Sequence, residues 1–114
     1  MRVTDTPPEW LTLPDVAERL DIGVNKVHQL LGDGCLLAQR VDGVLRIPTV
    51  FIGAGVVIKG LQGTITLLRD AGYDDVAAIE WLLRPDESLP GTPAQALADN
   101  RGTEVKRRAQ ASAF

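Results

Sequence analysis

Residues 12–48 read TLPDVAERLDIGVNKVHQLLGDGCLLAQRVDGVLRIP, and the change of hydrophobic period inside this stretch decides the fold. Thr12 is placed to cap a helix, with Asp15 three residues on and Pro14 in the first turn, where a missing N–H costs little. Val16, Ala17 and Leu20 then mark one helical face. Asp21-Ile22-Gly23 interrupts the pattern. A second helix, about Val24 to Leu31, carries Val27, Leu30 and Leu31 on its apolar side before Gly32 and Gly34 end it. Beyond them the period becomes that of strands. Leu36–Val41 and Val44–Ile47 flank Asp42-Gly43, a dipeptide that favours a type I′ hairpin turn because both positions tolerate positive φ. Such a turn pairs Val41 with Val44, Arg40 with Leu45 and Gln39 with Arg46. Leu36, Ala38, Leu45 and Ile47 then share one face, Gln39 and Arg46 the other, and Pro48 closes the second strand.

Two short helices joined by a tight turn and followed at once by a hairpin is the order of a winged helix-turn-helix. Its packing demands are met position by position. Ala17 is the small residue that lets the second helix approach the first. Val16 and Leu20 are apolar, Ile22 plugs the turn from inside, and Val27 and Leu30 face the first helix. The turn residue that is usually glycine is Asp21, a residue type that tolerates left-handed geometry better than most. The same spacing serves an ordinary helical hairpin; the wing-like hairpin directly after the second helix favours DNA binding.

On that reading the second helix enters the major groove of double-stranded DNA with its N-terminal half. Its outward residues are Val24, Asn25, Lys26, His28 and Gln29. Asn25 and Gln29 suit adenine edges or phosphate, Lys26 guanine or phosphate, and Val24 a thymine methyl. His28 is a groove or phosphate contact. Arg40 and Arg46 on the wing meet phosphate or the minor groove. Gly23 leaves the helix N-terminus open to a phosphate.

Outward from this stretch, Thr6-Pro7-Pro8 discourages a helix, so residues 1–11 read as a flexible tail. Residues 49–62 are apolar but interrupted by Gly53, Gly55 and Gly60, which suggests a buried connection with no assigned element. From residue 63 the chain reads as helices: Thr64–Ala71 with Ile65, Leu68 and Ala71 inward; a helix capped by Asp74 or Asp75 running to Leu83, with Val76, Ile79, Leu82 and Leu83 inward; a short helix capped by Thr92; and a last helix capped by Thr103 that carries Lys106, Arg107 and Arg108. The expected class is mainly α with one small hairpin: a winged helix-turn-helix over residues 12–48, and a helical C-terminal region, residues 49–114, packed on it.

Composition bounds the function. The 114 residues hold 12 Lys and Arg against 15 Asp and Glu, a net charge of −3, so DNA binding must rest on local geometry rather than bulk attraction. One histidine and one cysteine cannot make a structural zinc site, and Cys35 alone forms no internal disulfide, which points to a reducing cytoplasm. There is no nucleophile motif and no phosphate-binding loop; Ile58 stands where a dinucleotide fingerprint starting at Gly53 needs its third glycine. No enzyme, no cofactor, no metal, no catalytic residue and no membrane segment is expected.

Residues 12–48 resemble the excisionase and MerR-like winged helix-turn-helix domains. The likeness extends through VFIGAGVVIKGLQG (50–63), LLRDAGYDDVAAIEWLL (67–83) and EVKRRAQASAF (104–114) to a small actinobacterial family of winged-helix DNA-binding proteins with a helical C-terminal region. Trp81-Leu82-Leu83, Arg107-Arg108-Ala109-Gln110 and Phe114 are its more specific features. The resemblance implies DNA binding and, since one mycobacterial member is regarded as a Ser/Thr-kinase substrate, a kinase as partner, with Thr4 and Thr6 as candidate phosphoacceptors. A second likeness competes. WLLRPDESLPGTPAQAL (81–97) is similar to the C-terminal motif of Xre-type antitoxins, which would make the C-terminal helices a module for binding a partner protein.

Overall fold

The computed structural model describes residues 10–53, 55–89 and 91–111. The chain opens with strand β1 (Trp10–Thr12) and passes directly into helix α1 (Leu13–Leu20). Thr12 and Asp15 form a capping box: the Asp15 N–H donates to Thr12 Oγ1 at 3.3 Å and the Thr12 N–H to Asp15 Oδ2 at 3.4 Å. Asp21 ends the helix in the left-handed region, at φ 56° and ψ 48°, with its N–H shared by the Ala17 and Glu18 carbonyls. Aspartate therefore fills the position where a glycine is usual, and the turn keeps its geometry. Helix α2 (Val24–Gly32) follows. Val16 of α1 and Val27 of α2 are fully buried, and Ala17 is 6% exposed.

The hairpin consists of β2 (Gln39–Val41) and β3 (Val44–Pro48), paired in the expected register: Gln39 with Arg46, Arg40 with Leu45, Val41 with Val44. Asp42 and Gly43 both take positive φ, 55° and 80°, as a type I′ turn requires. The first strand is shorter than its apolar run. Leu36 and Leu37 are both buried, so the chain there crosses the core and does not alternate between two faces.

Among the described residues the sheet has three strands, in the order β1-β3-β2, all antiparallel. This corrects the expectation of a free tail to residue 11. Leu11 sits opposite Ile47 and is buried, because the inner edge of the hairpin would otherwise expose unpaired backbone groups beside the core. The remainder of the proposed tail, with Thr4 and Thr6, lies outside the described residues.

Before Leu61, the described residues from Thr49 onward form a 3₁₀ turn, Thr49–Phe51, and a bridge between Ile52 and Val57. Phe51, Ile52 and Ile58 are buried. Helix α3 (Leu61–Asp70) starts a turn earlier than the periodicity suggested. Gly60, at φ 87°, supplies a carbonyl that accepts both the backbone N–H and the hydroxyl of the buried Thr64. Helix α4 (Asp75–Leu83) is capped by Asp74, which accepts the Ala77 N–H at 2.8 Å. Val76 points outward, contrary to expectation, and is 46% exposed. The buried stripe of α4 is Ala78, Ile79 and Leu82, and Val76 lies about 110° around the helix from its centre. Helix α5 (Pro93–Ala98) is capped by Thr92.

Helix α6 (Gly102–Ala111) begins before Thr103, which is therefore inside the first turn and not its cap. Asn100 turns the chain at φ 64°, and the Arg101 carbonyl accepts the Val105 N–H. One continuous apolar core runs from Leu11 through Val16, Val27 and Ile47 to Ile65, Ile79, Leu97 and Val105, so the helical region and the helix-turn-helix share an interior. No described helix is long and apolar enough to cross a membrane.

Candidate nucleic-acid interface

Val27 is the only fully enclosed residue of α2, and the helix turns the rest of its first two turns to solvent. Val24, Asn25, Lys26, His28 and Gln29 are all exposed. The sequence pattern thus leaves one continuous polar face on a helix anchored by Val27 and by the half-buried Leu30 and Leu31. No carboxylate occurs between Val24 and Gly32, although the chain as a whole is acidic. Gly23, in extended conformation, precedes the helix without any side-chain cap, and a Cβ added there would meet nothing within 4 Å. The first backbone N–H groups of α2 are thereby accessible at the end of the helix where partial positive charge gathers.

The two wing arginines differ. Arg40 is exposed near the hairpin tip, where its Nη1 donates to the Gly43 carbonyl at 3.3 Å. Arg46 is partly enclosed. It lies on the central strand, half-buried between Thr12 and Gln39, and its Nε is buried without a hydrogen-bond partner. The sequence placed Arg46 on the outer face of a two-stranded hairpin; β1 adds a strand beside it and encloses its stem. α2 and the tip of the hairpin therefore hold the exposed candidates, while Arg46 belongs to the sheet beneath them.

Two features had no signal in the sequence. One is β1 itself, three residues long and recognisable only by its pairing. The other is the approach of the 53–57 loop to the helix-turn-helix, where a Cβ on Gly55 would lie 3.7 Å from the Arg19 carbonyl oxygen.

In the stretch that resembles an antitoxin motif, Arg84, Pro85, Glu87 and Gln95 stay exposed while several apolar positions are buried. Leu82, Leu89 and Pro93 are buried, Thr92 caps α5, and the loop before it is tied to α6 by Arg108, whose Nε donates to Ser88 Oγ at 2.8 Å. Ser88 in turn donates its N–H and hydroxyl to Asp86 Oδ1, at 2.9 and 2.6 Å. Those bonds, and the nearby Arg108 charge, hold the Asp86 carboxyl below its ordinary range. Among the described residues no group of three His, Cys, Asp or Glu side chains is placed to hold a metal ion.

Comparison with known proteins places this geometry. A family model described as DNA-binding protein Rv2175c, wHTH domain, matches residues 2–52, and one described as Rv2175c C-terminal domain of unknown function matches residues 58–113. The chain is similar to the DNA-binding protein Rv2175c of Mycobacterium tuberculosis, at 41% identity over 125 residues, covering 98% of this chain and 86% of that protein. It is also similar to an excisionase of Streptomyces ambofaciens, at 40% identity over 47 residues, or 41% of this chain and 76% of the relative. The NMR structure of Rv2175c superposes with a TM-score of 0.85 at 39% identity, covering all of this chain and 86% of that one. A winged helix-turn-helix with this helical extension, matched in sequence and in structure along nearly its whole length, makes the chain a member of the Rv2175c family.

Proposed function

We propose that this protein binds double-stranded DNA, with α2 in the major groove and the β2–β3 hairpin as the wing, and that it serves as a transcriptional regulator in the cytoplasm. The observation that carries this reading is the exposed, carboxylate-free face of α2, on which Asn25, Lys26, His28 and Gln29 project from a helix whose opposite side buries Val27. Amide side chains offer the paired donor and acceptor that an adenine edge requires, and Lys26 a point charge for phosphate or guanine. The names of the M. tuberculosis relative and of the excisionase support the same assignment.

The acidic balance of the chain shapes the test. A few local contacts must work against a repulsive background, so binding should be weak for a single copy and fall steeply with salt. Fluorescence anisotropy of labelled duplexes at two ionic strengths measures both. Duplex binding that is absent at low salt, or indifferent to salt, would overturn the assignment of α2 as the contact surface.

A further inference from the structure

A cleft of about 440 Å3 opens between the starts of α3 and α6. Lys59, Gly60 and Asn100 lie at its rim, with Thr103 and Lys106 on the α6 side. Among the described residues no carboxylate lines it, in a chain with 15 acids against 12 bases. Glu104, the acid nearest Lys106 along α6, is drawn aside by Arg101 at 3.5 Å. Neither Lys59 nor Lys106 takes part in an ion pair among the described residues.

Lys106 does not simply extend into water. A Cβ built on Gly63 would stand 3.0 Å from Lys106 Cε and 3.2 Å from its Nζ, so the stem lies along the backbone of α3 with the ammonium beside the first turn. Glycine inside a helix costs stability relative to alanine; here it permits that approach. The same turn carries the positive end of the helix dipole, and its N-cap, Gly60, has no side-chain acceptor. Positive charge from two lysines is thus collected at one concavity with no counter-charge from the described residues lining it.

We propose that this cleft binds a phosphate group, with Lys59 and Lys106 as its cationic walls and the Thr103 hydroxyl as a donor. Lysines reaching from the turn before α3 and from α6 can contact different oxygens of one tetrahedral anion, and lysine serves phosphate as a point charge. The phosphate comes either from a DNA backbone or from a free phosphorylated small molecule. The inference goes beyond DNA reading by α2 and does not depend on it.

The test is an NMR titration of the full chain with inorganic pyrophosphate, at an ionic strength held constant with sodium chloride. Saturable amide shifts are expected at Gly60–Gly63 and at Gly102 and Thr103. Lys59→Gln and Lys106→Gln should each weaken pyrophosphate binding about tenfold, the scale of one charge-assisted hydrogen bond. Gly63→Ala should also weaken it, because it displaces Lys106 while leaving both charges in place. Shifts that do not saturate, or that saturate equally in the double lysine variant, overturn the proposal. DNA binding by the double variant then identifies the source. A lower affinity with a salt slope reduced by about two assigns the phosphate to the DNA backbone; unchanged DNA affinity assigns it to a free phosphorylated molecule. Should α2 prove not to contact DNA, the pyrophosphate result stands by itself.

Discussion

Arg46 stands directly opposite Thr12, the residue that caps α1, across the β1–β3 pair. This links the wing to the first helix of the helix-turn-helix and encloses a side chain that would otherwise serve the surface. Arg46 is half-buried on the central strand and its buried Nε has no hydrogen-bond partner. Arg46→Ala should therefore destabilise the fold by about 1 kcal/mol through lost packing. Arg46→Met keeps the stem and removes the unsatisfied group, so its urea midpoint should equal or exceed that of the parent. An Arg46→Ala variant as stable as the parent would return the side chain to solvent.

Ala17 is the small buried residue on the face of α1 expected to meet α2. It is 6% exposed, and Val16 of α1 and Val27 of α2 are fully buried. Ala17→Leu should overpack the contact and cost about 1–3 kcal/mol. Thermal melting measures the loss; an unchanged midpoint would mean that the two helices have room to spare.

On α2, positioning and reading are separable. Lys26→Ala should weaken binding to all duplexes alike and lower the salt slope by roughly one, as expected for a phosphate contact. Asn25→Ala and Gln29→Ala should instead relax sequence preference, since an amide pairing with an adenine edge supplies about 1–3 kcal/mol of discrimination. All three side chains are exposed, so stability should stay within about 0.5 kcal/mol. Parental binding of both a preferred and a scrambled duplex by all three variants would remove α2 from the interface.

Asp86 offers a pH-dependent reporter on the C-terminal region. The Ser88 hydroxyl and then the Ser88 amide lower its pKa from the ordinary 3.8; desolvation opposes them, and the Arg108 charge adds a smaller lowering effect. Because the folded value is the lower one, the stabilisation is complete above the ordinary value and is lost as pH falls through the folded value. An NMR titration of the Asp86 side chain should give a midpoint below 3.8, and Ser88→Ala should move it upward. A midpoint insensitive to Ser88→Ala would mean that another group holds the carboxylate.

What the amino-acid sequence determined by itself is local. The Thr12–Asp15 box, the left-handed Asp21, the Asp42-Gly43 turn and the hairpin register were legible because each depends on residues within a few positions of one another. The exposed face of α2 was legible for the same reason: helical spacing assigns Val27 inward and Asn25 and Gln29 outward before any partner is known. The tertiary structure alone decided whatever rests on chain segments that meet from afar. Trp10–Thr12 becomes a strand only because β3 offers it an open edge, and Arg46 is enclosed only because that strand arrives. Val76 is turned outward by the packing of Ile79 and Leu82, and Lys106 reaches α3 only where Gly63 leaves space. Periodicity records which face of an element is apolar, but the neighbour that covers that face, and the polar groups trapped or gathered beside it, are fixed by long-range packing that no local pattern encodes.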